Sequence, residues 1–206
     1  MVSAGAPGPV LALLAHPDDA ELWVGATLAH HAQHATVTIA VPHRDEERDA
    51  EAREGAAVLG AQLRQLDRLD EEAVRRLLLE TLPEVVITHP LNDVHPEHRA
   101  VATTVLAALP EPRIATGCPR RFYTCDSYNS LTLDGPVRAD VIVDVTATFD
   151  TKMAALRKHV SQPIDEHFGP MAETLGRLWG ARIGAGYGEA FTAVPLLGCL
   201  PGATQL

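Results

Sequence analysis

The sequence predicts an α/β fold: a doubly wound, mostly parallel, Rossmann-like sheet with helices on both faces. Short apolar or β-branched runs alternate with longer helical patterns, and turn or stop residues separate them. The first run, Val10-Leu11-Ala12-Leu13-Leu14-Ala15, is apolar at every position. A strand covered on both faces reads this way, whereas a strand with one wet face alternates. Strand–helix alternation then favours parallel pairing, with the helices packed over the two faces of the sheet.

The elements follow in order. Residues 20–34 read as a helix opened by Asp18 and Asp19, whose negative charge suits a helix N-terminus. Residues 35–41 (ATVTIAV) are rich in β-branched side chains and form the second strand. A helix over 46–59 stops at Gly60, and a short third strand covers 62–66. A helix over 71–81 is halted by Pro83, and 84–88 (EVVIT) is the fourth strand. A helix over 97–109 ends at Pro110, strands follow at 121–124 and 141–145, and 147–160 is helical. With no repeat, low-complexity stretch or linker, residues 1–206 read as one domain.

Composition excludes several partners. The formal net charge is −10 and no block of Lys or Arg occurs, which argues against nucleic acid or anionic lipid. No apolar run approaches the roughly 20 residues that span a bilayer. Residues 1–15 lack a basic leader region and end in the apolar strand, so they do not read as a signal peptide. Cys118, Cys125 and Cys199 have no CxxC spacing, so a cytoplasmic location is expected.

In a sheet of order 3-2-1-4-5, strands one and four are neighbours, and the loops leaving their carboxyl ends flank the ligand crevice. Those loops are His16-Pro17-Asp18-Asp19 and residues 89–98. His16 and Asp19 stand three apart and can face one ion, leaving Asp18 nearby and pointing elsewhere. His95 and His98 repeat the spacing, and only one is needed as a ligand. Two imidazoles and one carboxylate fit catalytic zinc, and equally non-haem iron(II).

Ala15-His16-Pro17-Asp18-Asp19-Ala20-Glu21, with Gly25 and Thr27-Leu28-Ala29, resembles the first motif of the PIG-L/LmbE-like zinc N-deacetylases. His95-Pro96-Glu97-His98-Arg99 is similar to their second motif, usually His-Pro-Asp-His. Arg48-Asp49-Ala50-Glu51 looks like the family's Arg-x-x-Glu helix. Val143-Asp144-Val145-Thr146, Lys152, His159-Val160-Ser161-Gln162 and Tyr187-Gly188-Glu189-Ala190-Phe191 resemble its later segments. Two departures stand out: Glu97 replaces the usual Asp, and Ala26 replaces a common Gly.

The resemblance implies that His16, Asp19 and His98 bind Zn2+, or another divalent metal such as Fe2+. Asp18 is then the general base, and His95 stabilises the oxyanion and assists departure of the amine. Arg48 contacts substrate or orients the base, unless it pairs with Glu51 on a solvated helix face. His43, on the same carboxyl edge, and Asp93 complete the candidate substrate contacts. Tyr123, Asp126, Tyr128 and Asn129 form a polar, aromatic loop suited to sugar recognition or to core and turn roles, and Trp23 reads as packing. His30, His31 and His34 read as a helix C-terminal preference rather than a metal site.

The implied activity removes an N-acetyl group from an N-acetylglucosamine-type sugar or conjugate, a small-molecule partner. Rich Ala and Arg usage suggests a GC-rich bacterial source and a place in secondary metabolism. The alternatives are an amidase acting on a sugar-linked thiol conjugate of the mycothiol type and a non-catalytic metal- or ligand-binding module. The Gly- and Leu-containing C-terminal segment is a candidate homo-oligomer contact.

Overall fold

The computed structural model describes residues 7–202. The first six residues of the opening segment and the last four of the tail, 203–206, lie outside the described residues. A seven-stranded sheet is built from β1 (Val10–Leu13), β2 (Val37–Pro42), β3 (Gln62–Leu66), β4 (Val85–Thr88), β5 (Arg121–Thr124), β8 (Val141–Asp144) and β9 (Gly188–Ala193). A short hairpin of β6 (Leu131–Thr132) and β7 (Gly135–Pro136) stands apart. The helices are α1 (Gly25–Ala32), α2 (Glu46–Leu59), α3 (Glu71–Thr81), α4 (Pro96–Ala108), α5 (Pro110–Thr116), α6 (Phe149–Leu156) and α7 (Gly169–Ile183).

The strand order is β3-β2-β1-β4-β5-β9-β8, parallel through β5, with β9 antiparallel to both of its neighbours. The expected 3-2-1-4-5 order is the parallel part of this sheet. β1 explains its own composition: Val10, Ala12 and Leu14 enter one hydrophobic core, while Leu11, Leu13 and Ala15 enter the other. Successive side chains of a strand point to opposite faces, so a strand between two cores must be apolar throughout. Among the described residues, no helix is long and apolar enough to cross a membrane.

Several boundaries differ from expectation. The helix expected over 20–34 opens with a five-residue π-turn, Ala20–Val24, before α1. Pro110 ends α4, yet a new helix begins at once, because proline fits a first helical turn whose N–H has no partner anyway. The helix expected over 147–160 is confined to Phe149–Leu156. Neither α7 nor β9 was expected. Gly169, Gly176 and Gly180 lower the helix propensity of α7. Gly180 is needed there, since a Cβ would come within 2.7 Å of the Tyr187 backbone nitrogen.

β9 carries a buried acid for a specific reason. The Glu189 carboxylate accepts the backbone N–H groups of Ala26 at 3.2 Å and Thr27 at 2.8 Å, and pairs with Lys152 Nζ at 2.6 Å. It thereby satisfies N–H groups that a helix start leaves without partners. Both charged side chains are almost fully buried, so each needs the other. Glu189→Ala is expected to cost about 3–5 kcal/mol, since Lys152 is then buried unpaired. Urea unfolding measures this, and a loss under ~1 kcal/mol would show that the pair is dispensable.

Candidate metal centre

The centre is built where β1 and β4 end side by side. Beyond the last paired residues, Thr88 Oγ1 donates to the Leu13 carbonyl at 2.7 Å, and the Ala15 N–H donates to His89 Nε2 at 3.0 Å. These bonds hold the two loops together as they leave the sheet. His16 follows β1, and Asp19 precedes the π-turn. Within that wide turn Trp23 Nε1 donates to Asp19 Oδ1 at 3.1 Å. His95 caps α4, Pro96 opens it, and His98 sits in its first turn.

Three donors from these loops converge. His16 Nδ1 lies 3.0 Å from Asp19 Oδ2 and 3.2 Å from His98 Nε2, and His98 Nε2 lies 3.5 Å from Asp19 Oδ1. Ligands held about 2.0–2.1 Å from a tetrahedral zinc sit roughly 3.3 Å apart, and these separations are of that size, with the Asp19 edges made by its two different oxygens. A carboxylate stands behind each imidazole. Asp93 Oδ2 is 3.3 Å from His98 Nδ1, and Glu97 Oε2 is 3.2 Å from His16 Nε2. Outer carboxylates of this kind fix the tautomer of a metal-ligating histidine, turning its free lone pair inward. Two inward lone pairs and a carboxylate at these distances call for a cation between them, and the residues present fit a divalent metal.

The electrostatics agree. Burial raises the Asp19 pKa, but His89, His16 and His98 outweigh it and hold the carboxyl well below its usual range. Burial lowers the His98 pKa, yet Asp19 and Asp93 overcome this and push it up to about 9. Asp18 shifts upward, through burial and the charge of Asp19, against the pull of Arg48 and His159. His95 is lowered by burial and by the neighbouring imidazoles His98 and His16, which favours its neutral form.

Further expected or neighbouring groups surround this point, and one expected group, His43, stays outside it. Arg48 Nη2 donates to Asp18 Oδ1 at 2.6 Å, and Arg48 does not pair with Glu51, which instead accepts from the Ser161 backbone and hydroxyl at 2.7 Å each. The His95 ring centroid is 4.9 Å from that of His16 and 4.7 Å from that of His98. Asp93, expected to meet substrate, is fully buried and bonded to the His95 backbone N–H and His98, so it supports the ligands from behind. His43 is half-exposed and tied to Asp49 at 2.5 Å, without joining the donor cluster. His89 was missed: it stacks on His98 with centroids 3.7 Å apart and touches Asp19 Oδ2 at 3.2 Å. Its place directly after β4, beside the end of β1, was the available signal. Tyr128 stacks on His98 at 5.9 Å and meets Trp23 edge-on at 5.1 Å.

A family model described as PIG-L: GlcNAc-PI de-N-acetylase matches residues 11–109, a span that contains both loops and all three converging donors. Over these residues the chain resembles the PIG-L family. Solved structures with the same fold include GalB, the 4-carboxy-2-hydroxymuconate hydratase from Pseudomonas putida KT2440. That likeness has 20% identity, covers 97% of this chain and 99% of that one, and gives a TM-score of 0.80. N,N'-diacetylchitobiose deacetylase from Pyrococcus horikoshii is similar at 22% identity over 91% and 84% of the two chains, with a TM-score of 0.71. The zinc-inhibited form of teicoplanin deacetylase Orf2 is similar at 17% identity over 90% and 98%, with a TM-score of 0.69. Chains of distant sequence thus share this layered sheet.

Zinc titrated into the protein at pH 7.5 is expected to displace about one proton, because His98 holds one well below its pKa of about 9 and must lose it to ligate. Affinity should therefore weaken as pH falls. Calorimetry in two buffers of different ionisation enthalpy counts the protons, and a count of zero would show that His98 is already neutral at this pH.

Proposed function

We propose that this chain is a metal-dependent hydrolase that removes the N-acetyl group from an N-acetylglucosamine-type sugar or its conjugate. The reading treats residues 1–206 as one PIG-L domain. The observation that carries it is the triangle of His16, Asp19 and His98 at 3.0–3.5 Å, with Asp18 and His95 beside it. An N,N'-diacetylchitobiose deacetylase and a teicoplanin deacetylase share the fold, which supports the same reaction class.

A divalent metal bound by His16, Asp19 and His98 supplies Lewis acidity and lowers the pKa of water towards about 7. The remaining chemistry belongs to the side chains. Asp18 accepts a proton from the attacking water, and Arg48 Nη2 at 2.6 Å fixes the direction of its carboxylate. The upward shift of Asp18 brings its proton affinity closer to what a general base needs near neutrality. His95 faces the charge that grows on the carbonyl oxygen, and the proton that Asp18 takes from water passes through it to the departing nitrogen. Without that proton the amide nitrogen would have to leave as an anion.

A hydratase reading has one observation in its favour, the likeness to a hydratase over nearly the full length of both chains. Asp18 would again take the proton from water, with oxygen adding to a conjugated C=C and a proton delivered to the adjacent carbon. Zinc-loaded protein incubated with N-acetylglucosamine conjugates is expected to release acetate. Asp18→Ala should lower kcat about 10²–10⁴-fold while retaining its zinc. An N-acetylcysteine-like fragment freed from a thiol conjugate would favour the amidase reading. No acetate from any sugar, with loss of ultraviolet absorbance from a conjugated enoate, would replace the deacetylase by the hydratase.

A further inference from the structure

Glu97, where the family's second motif usually has Asp, reaches further than a motif neighbour of His95 and His98 needs to. It occupies the first turn of α4, and its N–H donates to His95 Nδ1 at 3.3 Å. Its carboxylate crosses to the other loop, where Oε2 lies 3.2 Å from His16 Nε2. The same oxygen is bonded by Arg44 Nη2, from the loop after β2, and that nitrogen is also 3.4 Å from the Ala15 carbonyl. Arg44 is itself oriented, since its backbone N–H donates to Asp49 Oδ1 at 3.0 Å. Three loops, after β1, after β2 and before α4, are thus joined at one carboxylate oxygen.

The two ligand histidines are supported unequally. Behind His98 stands Asp93, fully buried and held by the His95 backbone N–H at 2.7 Å. Behind His16 stands Glu97, whose side chain is 51% exposed and whose own loop does not hold it in place. An exposed glutamate has many rotamers, and fixing it over His16 requires an outside partner. Arg44 is the partner that the structure supplies. An aspartate at position 97 is one methylene shorter and would have to give up either His16 or Arg44.

We propose that Glu97 and Arg44 are a positioning pair for His16: Glu97 accepts a hydrogen bond from the Nε2–H, Arg44 holds Glu97 in that pose, and the Nδ1 lone pair is thereby aimed at the metal. This rests on the proposed metal site. It also assigns the motif departure a purpose, because position 97 then serves the first loop instead of only its own. The pair acts through His16, so the effect falls on metal affinity before it falls on catalysis.

The test measures zinc affinity by competition with a chromophoric chelator for wild type, Glu97→Ala, Glu97→Asp, Arg44→Met and the double variant Glu97→Ala/Arg44→Met. Glu97→Ala is expected to bind zinc about 10–100-fold more weakly, the usual effect of losing an outer carboxylate. Arg44→Met should weaken binding by a smaller factor, and the double variant should be no worse than Glu97→Ala, because Arg44 acts only through Glu97. Glu97→Asp should fall short of wild type. In the zinc-bound wild type, nitrogen-15 spectra of the histidine rings should show His16 carrying its proton on Nε2, and Glu97→Ala should broaden or shift that signal. Zinc affinities within twofold of wild type for Glu97→Ala and Arg44→Met, with unchanged circular dichroism, would overturn the pair. A wild-type protein that binds no zinc would instead overturn the metal reading on which the pair rests.

Discussion

β1 and β4 lie side by side in parallel, with Val10 opposite Val85 and Ala12 opposite Ile87, and every contact in the metal centre depends on that register. The pairing brings His16 and His89, which follow the two strands, to one edge of the sheet. A slip of one residue would reverse the side chains of β1 between its two cores. It would also break the bonds from Thr88 to Leu13 and from Ala15 to His89 that carry the alignment past the last ladder positions. The double burial of β1 therefore sets the geometry of a site whose ligands lie outside the strand. Packing specifies the register, and the register specifies the chemistry.

Around this axis, buried acids are each given a counter-group. Asp18 faces Arg48, Asp93 faces His98, Glu21 faces His159 at 3.4 Å, and Glu189 faces Lys152. Helix α2 organises one flank of this arrangement with residues three, four and seven positions apart, which share a face. Arg48 holds Asp18, Glu51 holds the Ser161 turn, and Gly55 leaves room for the Glu21–His159 pair. A Cβ at Gly55 would stand 2.5 Å from Glu21 Oε1 and 3.0 Å from His159 Nε2. The Arg-x-x-Glu pattern in the sequence is thus two separate attachments rather than one ion pair.

Much of this was legible in the amino-acid order, and what escaped did so for physical reasons. β1, β2 and β4 announce themselves because buried parallel strands must be apolar at consecutive positions. The facing loops follow from sheet order, which sets His16 and Asp19 opposite His95 and His98, while the choice of His98 as ligand came from the family resemblance. Asp93 was read as a candidate substrate contact because a loop aspartate between two histidines gives no sign of which way it faces. Its burial depends on the β6–β7 hairpin, through a bridge from Asp93 to Thr132, and on long-range packing that local pattern does not encode. Arg44 was overlooked for the same reason: its partner is 53 residues away. The antiparallel β9 was hidden because Gly188-Glu189 carries neither apolar alternation nor a β-branched residue, and its acid makes sense only once α1 is seen above it.

That last attachment bears on the order in which the protein is made. Both metal loops belong to the first 98 residues, but the carboxylate that caps α1 arrives 163 positions after Ala26. At a translation rate of about 5–20 residues per second, roughly 90 residues separate the last ligand from its stabilising strand, a delay of about 5–20 seconds. During that interval the nascent chain can hold every donor of the centre and still lack the closing strand of its sheet. The family-matched span therefore holds both loops without the strand that caps α1, and transplanting it would call for carrying β9 along.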